Sequence, residues 1–276
     1  MQDIKPLILL TNDDGIRSPG IHAAARTLSE IGEVILVAPR EQSSASGRSH
    51  PLNSDGKIDP VSCCFEDLDL KAYAVGGSPA QCVARALVQV LPRRPDLVVA
   101  GINYGENFGT GITVSGTIGA ALEAASFGIP TLASSLQLIN ISDFDKFNPE
   151  VSFEAAAFFT AKFAKVILDH RIPEEVDLLK LEVPARATQE TAWRMTRLAR
   201  HMYYEPSFKD ELVWGEPSRL NYKISVKPED VPVDSDIYTV MFDQIVSVTP
   251  LTIDFTARID LAGWEANLRK NGNSQI

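Results

Sequence analysis

The sequence predicts an α/β fold: a Rossmann-like, mostly parallel sheet with helices on both faces, followed by a C-terminal extension containing β-hairpins. Three observations carry this reading. Unbroken apolar runs of strand length alternate with helix-period patterns through about the first 190 residues. A strand buried on both faces reads as such a run, whereas a strand with one wet face alternates. Two of the helix starts carry a Ser-Pro pair, with Ser as the cap and Pro in the first turn. Beyond residue 190 the runs become shorter, β-rich and separated by turn residues.

In chain order, PLILLT (6–11) reads as a buried strand. Ser18-Pro19 opens a helix with Ile21, Ala24, Ala25, Leu28 and Ile31 on one face, and Gly32 closes it. VILVA (34–38) and LKAYAV (70–75) are the next strands. Ser78-Pro79-Ala80-Gln81 is a capping box, because Gln81 stands three residues after the cap. Val83, Ala86, Leu87, Val90 and Leu91 form the stripe of that helix. DLVVAG (96–101) is a strand that ends in a glycine-rich loop, and a helix follows over about 117–126. PTLASS (130–135), the helix FEAAAFFTAKFAKVILDH (153–170) and DLLKLEVP (177–184) complete the alternation. The tail contains LNYKISV, SDIYTVMFD and IVSVTPL, which read as strands and hairpins. Residues 40–60 and 205–235 read as polar loops. In a parallel sheet, ligands bind outside the carboxyl ends of the strands. Asp13, Pro39 and Gly101 all fall there, so three loops are expected to meet on one rim.

Composition narrows the function. The chain has 276 residues, 45% hydrophobic and 22% charged, which is ample for a full core. The net charge of -10 argues against a nucleic-acid polymer as partner, since a polyanion wants a basic face. A small phosphorylated ligand remains compatible with it. Three cysteines (Cys63, Cys64 and Cys82) have neither the even count nor the spacing of a disulfide framework or a zinc site. The four histidines do not cluster in sequence, and Cys82 reads as core. No apolar run reaches membrane-spanning length, and the start is too short for a signal peptide. These features predict a cytoplasmic protein with no membrane partner.

Asp13 and Asp14 stand side by side where the first strand stops. Adjacent like charges at the mouth of a core are costly unless something positive lies between them. The plain alternative is a turn in which Asp serves a helix dipole. A haloacid-dehalogenase-type phosphatase needs Asp at i and i+2, and Gly15 occupies that place. A receiver domain needs an Asp after its third strand, and none is there. A metal-dependent phosphohydrolase remains. The loop APREQSSASGRSH (38–50) brings hydroxyls and backbone N–H groups to the same rim. The loop GINYGENFGTGITVSGTIG (101–119) combines five glycines before its helix with Asn103, Asn107, Ser115 and Thr117. Its helix N-terminus offers free N–H groups to an anion, which predicts a phosphate site. It carries neither the Walker spacing nor the dinucleotide fingerprint.

Taken together, LLTNDDGIRSPGI, VAPREQSSASGRS, GSPAQCV, GINYGENFGTGITVSGTIGAALEAASFGIP and VSVTPL resemble the survival protein E (SurE) family, in order, over nearly the whole chain. The resemblance implies a metal-dependent phosphomonoesterase that hydrolyses nucleoside monophosphates, a 5'-nucleotidase with possible 3'-nucleotidase and exopolyphosphatase activity. A non-catalytic nucleotide- or phosphate-binding protein on the same fold is the alternative. The resemblance implies Asp13, Asp14 and Asn103 as catalytic residues, and Asp13, Asp14, Ser44 and Asn103 as ligands of one divalent cation per subunit, Mg²⁺ or Mn²⁺, with Ca²⁺ able to substitute in crystals. Asn12, Ser43, Asn107, Ser115, Gly116 and Thr117 would line the phosphate and substrate site. It further implies a single domain over 1–276, with a core to about 190 and an oligomerisation extension from about 191. That extension would be exchanged between subunits of a homodimer or homotetramer. Two departures from the family pattern are Gln81, in place of Asp, and Glu106, where Pro is frequent.

Overall fold

The computed structural model describes residues 5–62, 68, 70–139, 147–170, 172–208, 213–218 and 220–272. Cys63 and Cys64 lie outside the described residues. In chain order the strands are β1 (Leu7–Thr11), β2 (Glu33–Pro39), β3 (Ile58–Pro60), β4 (Lys71–Val75), β5 (Leu97–Tyr104), β6 (Thr131–Leu136), β7 (Leu178–Val183), β8 (Trp193–Met195), β9 (Tyr204–Ser207), β10 (Asn221–Ile224) and β11 (Val246–Leu251). The α-helices are α1 (Pro19–Leu28), α2 (Pro79–Arg85), α3 (Gly116–Ser126), α4 (Glu154–Asp169), α5 (Asp236–Met241) and α6 (Leu261–Gly272).

Nine strands form one sheet in the order β3-β4-β2-β1-β5-β6-β7-β11-β8. The six strands from β4 to β7 are mutually parallel, as the apolar runs predict. Alternation along each strand divides the core in two. Ile8, Leu10, Val34, Leu36 and Val99 face α1 and α4, while Leu7, Leu9, Ile35, Val37 and Val98 face α2 and α3. Burying one leucine-sized side chain contributes about 1.5–3 kcal/mol, so these facing rows dominate the fold's stability. Both Ser-Pro starts act as helix caps. Ser18 Oγ accepts from the Ile21 N–H, and Ser78 Oγ from the Gln81 N–H. Gln81 completes the capping box by accepting from the Ser78 N–H at 3.0 Å, so it serves the helix start at this position. Cys82 is buried in the core, as expected.

The structure corrects the tail. SDIYTVMFD reads as strand by its β-branched and aromatic content, but it forms α5. Ser235 caps this helix, accepting from the Tyr238 N–H at 3.3 Å, and Ile237 and Val240 are its buried face. IVSVTPL forms β11, which inserts antiparallel beside β7 in the main sheet. β9 and β10 make a separate antiparallel pair. A third, smaller core joins Phe108 of the glycine-rich loop to Ala199, Tyr203, Val231, Ile237 and Val240 of the tail. Further elements escape the sequence reading: β3 and most of β9, in stretches read as loop, together with β8 and α6. The second helix also gives way to a π-helical turn over Ala86–Val90 rather than continuing as α-helix. Among the described residues, no helix is long and apolar enough to cross a membrane.

Candidate active site

β1 delivers Asn12, Asp13 and Asp14 to the rim of the sheet, and all three are buried. The sharp turn behind them depends on Gly15, whose φ of +94° disfavours any side chain. Asn12 fastens that turn. Its Nδ2 donates to the Gly15 carbonyl at 3.1 Å and to Ser18 Oγ, the cap of α1, at 2.7 Å.

The three loops do meet. The Ser43 N–H donates to the Asp13 carbonyl at 2.7 Å, and the Ile16 N–H to the Pro39 carbonyl at 2.8 Å. The Gly47 N–H donates to the Val114 carbonyl at 3.0 Å, which closes the second loop onto the third. Asn103 arrives differently from expectation. It lies within β5, which extends past Gly101, and the pairing with β6 shifts register between Ala100 and Asn103. Its Nδ2 donates to the Gly105 carbonyl at 2.7 Å.

Thr117, in the first turn of α3, joins the groups. Its hydroxyl donates to Asp13 Oδ1 and lies 3.3 Å from Asn103 Oδ1. Asp14 Oδ2 accepts from the Tyr104 N–H, next to Asn103, at 2.8 Å. Asp13, Asp14, Asn103 and Thr117 therefore gather at one point. Ser115 spends its hydroxyl on capping α3, accepting from the Ile118 N–H at 3.1 Å. Gly116 packs directly on Asp13. A Cβ there would stand 2.7 Å from Asp13 Cβ, Asp13 Oδ2 and Ser46 Oγ alike.

Ser44 stands apart from this point: it is exposed, and its hydroxyl accepts from Gln42 Nε2 at 3.0 Å. Ser43 is half-buried and engages Asp13 through its backbone. Ser46 is the serine whose hydroxyl turns inward beside Asp13 and Gly116, and its Oγ is buried without a hydrogen-bond partner. No pattern in the sequence separates Ser46 from its neighbours. Its direction is set by Ala45 and Gly47, which flank it at φ of 56° and 54°.

Asn107 is half-buried, and its Nδ2 donates to Ser135 Oγ at 3.0 Å. Beneath it lies a charged cluster that the sequence reading passed over: Lys180, Glu182 and Asp236, each with a side chain at most 1% exposed. The signal was the Lys and Glu inside the otherwise apolar LLKLEV. Glu106 is buried as well, accepting from the Leu138 N–H at 3.1 Å and from the Tyr204 hydroxyl at 2.6 Å.

Burial pushes the Asp13 carboxyl above its ordinary range, while the Thr117 hydroxyl and the Thr117 and Gly116 N–H groups pull it back. Asp14 is pushed further, first by burial and then by the charge of Asp13, against the Tyr104 N–H. Two adjacent buried carboxylates, one of them pushed up further by the charge of the other, are what a divalent cation relieves. The donors around them fit such an ion. Carboxylate, amide and hydroxyl oxygens suit Mg²⁺, Mn²⁺ or Ca²⁺ rather than a soft metal. Asn12 Oδ1 and Ser46 Oγ are buried beside this point with no partner, as spare oxygen donors.

The family profile of survival protein SurE matches residues 8–205, a span that includes every rim residue named above. A 5'-nucleotidase SurE of Thermococcus gammatolerans is 41% identical over 258 residues, covering 92% of each chain. That of Methanosarcina acetivorans is 39% identical over 272 residues, covering 95% of this chain and 98% of its own. The crystal structure of the SurE protein from Aquifex aeolicus superposes with a TM-score of 0.74 at 29% identity, over 96% of this chain and 100% of that one. With a matching fold, a matching profile and near-complete coverage by its relatives, the chain belongs to the SurE family.

Proposed function

We propose that this chain is a metal-dependent 5'-nucleotidase that hydrolyses nucleoside monophosphates to nucleoside and phosphate, with 3'-monophosphates and polyphosphate as further substrates. The observation that carries it is the meeting of two buried carboxylates, the Asn103 amide oxygen and the Thr117 hydroxyl at the N-terminus of α3. The relatives named 5'-nucleotidase cover nearly the whole chain and give the substrate class.

Asp13, Asp14 and Asn103 would hold one divalent cation, Mg²⁺ or Mn²⁺, with Ser44 of the adjoining loop as the fourth ligand that the family resemblance implies. Bound there, the ion supplies Lewis acidity toward phosphoryl oxygen and a water of lowered pKa. The protein's own part is orientation. The Gly116 and Thr117 N–H groups steady the Asp13 carboxylate, and the α3 dipole would favour the negative charge that develops on a phosphoryl group at its N-terminus. Asn12 holds the Asp13–Asp14 turn, while Ser43, Ser115 and Asn107 border the phosphate.

The same reading makes the enzyme a homodimer or homotetramer that exchanges C-terminal segments. It is supported by α6, where Leu261, Trp264 and Leu268 are each more than half exposed and recur at helical spacing. The cysteine count and spacing support a reducing, cytoplasmic setting.

A panel of nucleoside 5'- and 3'-monophosphates tests the activity. Phosphate release should require Mn²⁺ or Mg²⁺ and vanish with chelator. Asp13→Asn should stay folded and lose most turnover. Tight nucleotide binding with no phosphate released in any metal would instead mark a binding protein.

A further inference from the structure

The cluster beneath the glycine-rich loop has an unusual bond pattern. Lys180 Nζ has three N–H donors, and all three are used: on Glu182 Oε1 at 3.2 Å, Asp236 Oδ2 at 3.0 Å and the Asn107 carbonyl at 2.9 Å. Glu182 Oε2 accepts from the Asn107 N–H at 3.1 Å. Asp236 Oδ2 also accepts from the Gly109 N–H at 3.1 Å, and its Oδ1 from the Ala199 and Ile237 N–H groups, both at 2.9 Å. Both peptide groups flanking Asn107 are thus gripped by opposite charges. Phe108, between the two gripped residues, lies under Lys180 Nζ at 5.7 Å from its ring centroid.

Stability alone does not account for this arrangement. Replacing a buried ion cluster by apolar side chains of similar volume is often neutral or stabilising. What apolar packing lacks is direction. A fully satisfied polar network fixes one geometry, and here the geometry fixed is that of residues 107–109, while the Asn107 side chain stays half-exposed on the rim.

We propose that Lys180, Glu182 and Asp236 are positioning residues that hold Asn107 in register with the phosphoryl group of the substrate. This rests on the nucleotidase reading of the rim. The cluster touches no substrate, and its effect passes through the loop backbone. Because Asp236 belongs to α5, the tail takes part in setting the site.

The test uses the full chain with Mn²⁺ and a nucleoside 5'-monophosphate. Glu182→Met removes the acceptor for the Asn107 N–H and leaves Lys180 paired with Asp236. KM should rise about tenfold or more, as expected for misplaced binding groups, with Mn²⁺ affinity unchanged. Glu182→Gln restores an acceptor oxygen and should recover most of the loss. A Glu182→Met enzyme with wild-type kcat and KM overturns the proposal. Amide hydrogen exchange on the wild-type chain gives a second reading that needs no variant. The Asn107 and Gly109 amides should be as protected as those of β5, and rapid exchange there overturns the proposal even if Glu182→Met fails to fold. A wild-type chain that releases no phosphate in any metal sinks the nucleotidase reading itself, a different failure.

Discussion

Gly116→Ala isolates the coupling between α3 and the carboxylate pair. The added methyl would lie 2.7 Å from Asp13 Cβ, Asp13 Oδ2 and Ser46 Oγ, where ordinary contact begins at 3.4 Å. Something must therefore yield by about 0.7 Å, and a close-packed site cannot absorb that without moving a side chain. Gly116 has ordinary helical geometry and opens α3, so alanine gains up to about 1 kcal/mol of helix propensity. The fold is expected to survive, and the displacement falls on Asp13 and the segment carrying Ser46. A shift of that size in a catalytic group costs about 10²-fold in rate, close to 3 kcal/mol of transition-state stabilisation. The assay is Mn²⁺-dependent phosphate release, with kcat and KM determined separately beside a thermal melt. A Gly116→Ala enzyme within threefold of wild-type kcat/KM would refute the tight apposition of α3 and Asp13.

Two further perturbations read the same surroundings. Thr117→Val keeps the shape but removes the hydroxyl between Asp13 and Asn103. A hydrogen bond to a charged group is worth about 1.5–3 kcal/mol, so kcat/KM should fall roughly 10- to 100-fold. Thr117→Ser should restore it, and a serine variant as poor as the valine one contradicts the bridging role. Glu182 gives a pH signature in stability. Burial pushes its carboxyl from 4.5 to about 7, against the attraction of Lys180. A raised carboxyl contributes stability that is full below 4.5 and is lost as pH rises through 7, on the order of 3 kcal/mol in all. Urea unfolding of wild type and Glu182→Gln at pH 5 and pH 8 should show the wild type losing more on the rise. Parallel curves would exclude that contribution.

The parallel sheet was legible because its strands are buried on both faces, so PLILLT, VILVA and DLVVAG announce themselves without knowledge of their neighbours. The caps Ser18 and Ser78 were legible because a cap acts over three residues of chain. The rim was partly legible. Asp13, Asp14 and Asn103 stand out where apolar strands end, although the extension of β5 through Asn103 depends on a register shift against β6 that only the pairing reveals. α5 was misread since Ile237, Tyr238, Thr239 and Val240 favour strands individually, while the Ser235 cap and burial against the tail core decide for helix. Lys180, Glu182 and Asp236 went unseen together because their meeting is a product of tertiary placement, with β7 and α5 brought side by side beneath the loop. Ser44 and Ser46 are indistinguishable as letters, and local φ values turn one outward and the other inward.

The bond from the Gly109 N–H to Asp236 spans 127 positions of the chain. Its consequence concerns the order of synthesis. As the polypeptide leaves the ribosome, the Asp pair, Asn103 and α3 are all available while Asp236 has yet to be made. The nascent enzyme therefore carries its acids early and its final loop fastening late, and long-range closures of this kind are slow steps in folding. The fastening of the glycine-rich loop at Gly109 is therefore complete only after α5 has been made and docked.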